Sequence, residues 1–253
     1  MTQNSNLESS NLLNRYLRLM TSPVAVRLVR KEEQLDQSIK ARKPRSKLAV
    51  CQIVNLARYY GWTMMAGKED MACAPGATAL GLISMPDSII SGRISHRVHQ
   101  ETIEAARRMQ ESVPRIPYEQ YRAILTSPLE SAAFTPHLVM VYGNSAQIMR
   151  LIHAALWKTG ERLQFSTAGE YSSCSDGIAQ TMMSGRPQVT IPCYGERIFG
   201  VTQDDEIIFV IPQQYLPSVL EGLEKTHSAG VKYPIPFYGT RAEPAFPEHY
   251  KVP

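Results

Sequence analysis

The residues of this chain best suited to chemistry are its four cysteines, Cys51, Cys73, Cys174 and Cys193. Cys51 and Cys174 each open a segment of helical periodicity, where free N–H groups and the helix dipole favour a thiolate. Cys73 and Cys193 each stand in a turn (Cys73-Ala74-Pro75-Gly76 and Pro192-Cys193-Tyr194-Gly195), where backbone N–H groups lie close to the sulfur. Four thiolates brought together would ligate a 4Fe–4S or 2Fe–2S cluster, or a zinc ion. Structural zinc takes its ligands in close sequence pairs, and no C-x-x-C occurs here. Ligands this far apart favour an iron–sulfur cluster held between subdomains, 4Fe–4S first, with zinc as the alternative. A plainer role competes, because free cysteine often serves as a small apolar filler. If only three cysteines hold the cluster, the open iron becomes a Lewis acid and the protein an enzyme rather than a carrier.

The cysteines also fall into a repeated layout. Cys51 opens a helix and Cys73 follows 22 residues later in a turn with Gly76 and Gly81. Cys174 opens a helix and Cys193 follows 19 residues later in a turn with Gly195 and Gly200. Two related half-domains packed face to face would bring the four thiols together near a pseudo-twofold axis.

Other candidates are weaker. Glu196 and Arg197 follow Cys193 directly; they could line a pocket beside the metal, with Arg197 clamping an anionic substrate, or form ion pairs. Glu69 and Asp70 precede Cys73 and read as acid/base groups or as a solvated loop. His96 and His99 stand beside Arg93 and Arg97 without an evident third ligand, which favours a polar surface. Ser172 or Ser173 can cap the helix of Cys174, and Asp176 is expected to cap it as well. Nothing marks a nucleophilic hydrolase or a nucleotide-binding loop, since neither G-x-S-x-G nor a P-loop is present.

The elements that must position these residues follow from periodicity and punctuation. Helices are expected over Leu7–Met20, Leu48–Tyr60, Thr102–Glu111, Ala146–Trp157, Cys174–Met183 and Leu216–Lys225. Strands are expected over Val24–Val29, Trp62–Ala66, Tyr121–Thr126, His137–Tyr142, Val189–Ile191 and Ile207–Ile211. Residues 30–47 read as a charged loop with some helix. The elements intermix without strict alternation and no glycine-rich phosphate turn follows a strand. The class is therefore α+β, a mixed sheet with packed helices in two pseudo-related halves. Residues 1–232 form one domain, with half-domains of about 22–125 and 126–232; residues 233–253 form a proline-rich C-terminal arm.

Composition sets the outer bounds. The 253 residues are 43% hydrophobic, enough for a sizeable core, and carry a formal charge of +4. The basic residues are dispersed apart from Arg42, Lys43, Arg45 and Lys47, which reads as a solvated loop and argues against a nucleic-acid partner. No signal peptide and no bilayer-length apolar run is visible, so the expectation is a cytoplasmic protein without a membrane partner. In that compartment thiols stay reduced, which favours metal-binding or catalytic cysteines over disulfides.

From Leu13 to about Lys225 the chain resembles the archaeal and bacterial family called domain of unknown function 169. The resemblance rests on Ser22-Pro23-Val24-Ala25-Val26, Cys51 with Ala57, Glu69-Asp70 with Cys73 and Gly76, and Leu80-Gly81-Leu82. It continues through Ser127-Pro128-Leu129, the strand ending at Tyr142, Gln147-Ile148-Met149, Cys174 and Cys193-Tyr194-Gly195-Glu196-Arg197. The resemblance implies that cysteines at these four places matter together, and it brings no established reaction. The charged stretch 30–47 and the tail after Tyr233 look particular to this member. The expectation is an iron–sulfur protein, an oxygen-sensitive redox or lyase-type enzyme whose partner is a small-molecule substrate or a redox protein, compatible with a homo-oligomer. The alternative is a zinc- or thiol-stabilised ligand-binding or accessory protein without catalysis.

Overall fold

A computed structural model describes residues 3–235 and 248–250. Most of the proline-rich arm expected from residue 233 onward lies outside the described residues. In chain order the elements are α1 (Gln3–Leu17), β1 (Val24–Arg30), α2 (Val50–Tyr60), β2 (Met64–Gly67), α3 (Ala74–Ala79), α4 (Asp87–Ile90), α5 (Ile103–Ser112) and β3 (Tyr121–Pro128). Then come β4 (Leu138–Gly143), α6 (Ser145–Leu156), a π-helix (Ser172–Ala179) running into α7 (Gln180–Ser184), β5 (Gln188–Thr190), α8 (Tyr194–Phe199), β6 (Ile207–Pro212) and α9 (Leu216–Ser228).

Local chemistry accounts for the principal boundaries. The Gln52 side chain accepts the Ala49 N–H at 2.8 Å and so caps the start of α2, while Gly61 ends it at φ 69°. Asn144 caps α6 by accepting the N–H groups of Ala146 and Gln147, each at 3.0 Å. Residues 30–47 contain no helix. Instead Arg42 donates its N–H to the Thr63 carbonyl at 2.8 Å and accepts from Met65 at 2.9 Å. The basic run is thereby fastened along the edge of β2, where charge discourages edge-to-edge pairing.

The six strands form one sheet in the order β2-β3-β1-β4-β6-β5, and every pairing between them is antiparallel rather than mixed. Alternate strand residues supply two cores, as the period of two requires. Val24, Val26, Leu28, Met140, Tyr142 and Val210 pack against Ile53, Val54 and Ala57 of α2, Ala77 of α3 and Ile178 of the π-helix. Ala25, Val29, Val139, Val141 and Phe209 pack against α1, α6 and α9 through Leu13, Leu17, Leu151 and Val219. Each fully buried Val, Leu or Ile contributes about 1.5–3 kcal/mol, so both faces are securely covered.

The order of elements repeats. β1–α2–β2–α3–β3 in the first half corresponds to β4–π-helix–β5–α8–β6 in the second, with α4 and α5 inserted in one and α6 in the other. The register repeats as well: Thr126 pairs with Val26 and Met64, and Val210 pairs with Met140 and Gln188. The pseudo-twofold passes between β1 and β4, where Ala25 faces Val139. β3 continues past residue 125 to Pro128 and runs into the 3-10 turn Leu129–Ser131. All four cysteines lie on the helical layer of one sheet face, carried by equivalent elements of the two halves.

Candidate functional site

Cys51 is the second residue of α2, and Cys174 the third of the π-helix. Cys73 and Cys193 each immediately precede a short helix, α3 and α8, in extended conformation. Positions 101 and more residues apart in sequence thus meet across the two halves: all four cysteines line one cavity of about 510 Å³. The halves interlock there through glycines. A Cβ at Gly76, in α3, would stand 3.8 Å from that of Cys174, and one at Gly200, after α8, 3.2 Å from that of Cys51. The four are free thiols, each partly accessible. Among the described residues, no three His, Cys, Asp or Glu side chains are grouped so as to hold a metal ion.

The expectation of lowered thiol pKa is overturned for three of the four. Burial pushes the Cys51 thiol up, and Glu196, Cys193 and Cys73 push it further, against one backbone hydrogen bond from Gln52. Burial likewise raises Cys73, opposed by a backbone hydrogen bond from Gly76 and assisted by Cys193. Cys174 is raised well above the ordinary thiol range by burial and then by the other three cysteines and Glu196. The dipole term at a helix start is worth about 0.3–1 kcal/mol, whereas full burial moves a pKa by as much as about 3–5 units. Burial wins, and without a counter-cation these thiols hold their protons.

Glu196 lines the cavity and is 1% exposed. Its carboxylate accepts hydrogen bonds from the Tyr142 hydroxyl at 2.8 Å, the Ser172 hydroxyl at 2.8 Å and the Ser173 N–H at 3.2 Å. Ser172 in turn accepts the Cys193 N–H at 2.6 Å. One carboxylate therefore fastens the start of the π-helix, which carries Cys174, to α8, which follows Cys193. Burial and Glu196 push the Tyr142 hydroxyl well above its ordinary range. The Arg58 guanidinium lies 3.9 Å from the centre of the Tyr142 ring, donates to Thr21 Oγ1 at 2.7 Å and pairs with Glu206. It thereby packs over the ring whose hydroxyl donates to Glu196.

The remaining candidates separate. Arg197 is not on the cavity wall; it donates to the Gln203 carbonyl at 2.6 Å and stands 3.7 Å from Asp204. Glu69 and Asp70 line a different cavity beside β2, where Asp70 accepts the Gly67 N–H at 2.9 Å. His99 lines the cysteine cavity and His96 does not. Asp176 lies inside the π-helix rather than at its cap, and burial raises its carboxyl to about 6. Ser172, Tyr142 and Arg58 were not singled out from the sequence. Ser172 reads there as a helix cap, and Tyr142 as the end of a buried strand. One backbone signal emerges only in three dimensions: Tyr171, also on the cavity wall, adopts φ 57° just before the π-helix. Such strained residues and π-helical turns cluster at functional sites.

Residues 12–222 match the family model DUF169, described as "Uncharacterised ArCR". An uncharacterised protein of Methanocaldococcus jannaschii is 24% identical over 226 residues, which span 88% of this chain and 96% of that protein. No solved structure matches. Among the described residues, no helix is long and apolar enough to cross a membrane.

Proposed function

The chain belongs to the uncharacterised DUF169 family, and we propose that it is an iron–sulfur protein, with a 4Fe–4S cluster favoured and Cys51, Cys73, Cys174 and Cys193 as its ligands. The observation that carries this reading is that four thiols from four separate helix starts line one cavity. The donor set is chemically apt. Desolvated, mutually repelling thiols are costly as bare thiolates and are relieved by a cationic group, while the backbone hydrogen bonds from Gln52 and Gly76 favour the ligating form. A single zinc ion would need its sulfurs about 2.3 Å from one point. A 4Fe–4S cluster takes one cysteine per iron, which matches the number of thiols on this cavity wall.

When bound, such a cluster supplies one-electron chemistry or, through an iron lacking a cysteine, Lewis acidity. The protein's own residues divide the remaining work. Glu196 and Ser172 fix Cys193 relative to Cys174, and Arg58 packs over the Tyr142 ring whose hydroxyl donates to Glu196. Val50, Pro75, Ile94 and Phe199 make part of the cavity wall apolar, while His99 and Glu196 place an imidazole and a carboxylate on it. The cavity's size falls in the usual range for small-molecule sites, about 300–1,000 Å³, which favours a redox or lyase-type enzyme over a simple carrier. Single Cys→Ala variants, reconstituted anaerobically and assayed for iron and sulfide, test the ligand assignment. Loss of the cluster in three variants with retention in the fourth identifies an open iron and a catalyst. Loss in all four identifies a carrier, and retention in all four removes the cysteines from the account.

A further inference from the structure

Helix α8 is folded inside out. Its one buried side chain is the carboxylate of Glu196, while Tyr194, Ile198 and Phe199 are 71%, 53% and 58% exposed. Ile191 before the helix and Val201 after it are exposed as well. Scattered exposed apolar residues need no explanation, but five within one eleven-residue segment form a patch of the kind that marks an interface. The patch extends to the end of α2, where the exposed Tyr59 donates its hydroxyl to the Val201 carbonyl at 3.2 Å. It also reaches the cavity mouth, where Ile94 joins Tyr194 and Phe199 on the wall.

The charges bordering the patch indicate what covers it. Segment 91–100 carries the exposed cations Arg93 and Arg97, and the loop from α8 to β6 carries the exposed acids Asp204 and Asp205. A partner of one charge sign would be repelled by half of this border. A second copy of the chain, turned about a twofold axis, sets the basic element of each protomer against the acidic loop of the other. We infer that the α8 face is the isologous interface of a homodimer, which covers the four-cysteine cavity of each protomer. The inference does not depend on what the cysteines bind.

Sedimentation velocity on the full-length protein tests it. The wild-type chain sediments as a dimer, and Phe199→Glu raises the dimer dissociation constant at least ~10-fold, about 1.4 kcal/mol, with far-ultraviolet circular dichroism unchanged. Because Phe199→Glu could disturb the cavity wall, a charge-reversal cycle on exposed residues provides the second measurement. Arg93→Glu with Arg97→Glu weakens the dimer, Asp204→Lys with Asp205→Lys weakens it too, and all four changes together restore it. A monomeric wild type, a dimer indifferent to Phe199→Glu, or additive weakening in the fourfold variant would overturn the inference.

Discussion

Gly200 of the second half lies directly against Cys51 of the first: a Cβ at position 200 would stand 3.2 Å from the Cys51 Cβ. It would also come within 2.6 Å of the Asn55 amide nitrogen and of the Glu196 carbonyl oxygen. Asn55 itself donates to the Gly200 carbonyl, so the seam between α2 and α8 closes only because residue 200 has no side chain. Gly200→Ala should therefore force α2 and α8 apart. The expected loss is about 1–3 kcal/mol in urea unfolding, with weaker retention of whatever Cys51 and Cys193 hold together. Gly195→Ala is the control, since a Cβ there meets nothing nearer than Phe199 at 3.9 Å. Equal stability of the two variants would contradict the close seam.

Adjacent residues in α8 should behave oppositely. Glu196→Ala removes the acceptor for three buried donors, each costing about 1–3 kcal/mol when left unpaired. Arg197→Ala removes only a partly exposed brace on the Gln203 loop and should cost no more than about 1 kcal/mol. Chemical denaturation of both variants checks this ordering; the reverse ordering would show that Glu196 is not the buried anchor.

The thiols should be sluggish in the metal-free protein. Burial raises Cys51, Cys73 and Cys174, so at pH 8 their thiolate fraction lies below that of free cysteine. Alkylation by iodoacetamide, followed peptide by peptide, should be slower at these three positions than for glutathione, and unfolding should abolish the difference. Faster labelling at these positions would instead point to thiolates activated by their helix starts.

His137 should make the fold acid-sensitive. Its Nδ1 accepts the Leu28 N–H at 3.2 Å, and burial, then Arg27, lower its pKa below 6.5. The unfolded chain then binds a proton that the folded chain refuses, so this stability is present above pH 6.5 and is lost as the pH falls from there through the lower folded pKa. The urea midpoint should drop between pH 7 and pH 5.5, and His137→Gln should flatten that drop. An unchanged slope in the variant would remove His137 from the effect.

Much of the frame was legible in the sequence because its signals are local. The spans of α2 and α6 and the buried strand ending at Tyr142 all follow from short windows of residues. Membership of the family was legible too, because its motifs are spread along the matched region. What could not be read was chemistry set by distant neighbours. The placement of Cys51 and Cys174 at helix starts suggested low thiol pKa values, but their burial depends on Gly76, Gly200 and Glu196 from the opposite half or from later elements. The same holds for Ser172, whose sequence position suggests a helix cap although its hydroxyl joins Glu196 and Cys193. Arg197 shared the motif of Glu196 but not its direction, since adjacent residues on one helical turn point about 100° apart.

The most direct test of the four-cysteine account is metal and sulfide analysis of the wild-type protein purified without oxygen. The account predicts a brown protein with broad visible absorbance and about four irons and four sulfides per chain, the colour bleaching on exposure to air. A colourless chain that carries stoichiometric zinc, or that takes up neither iron nor sulfide on anaerobic reconstitution, would contradict it.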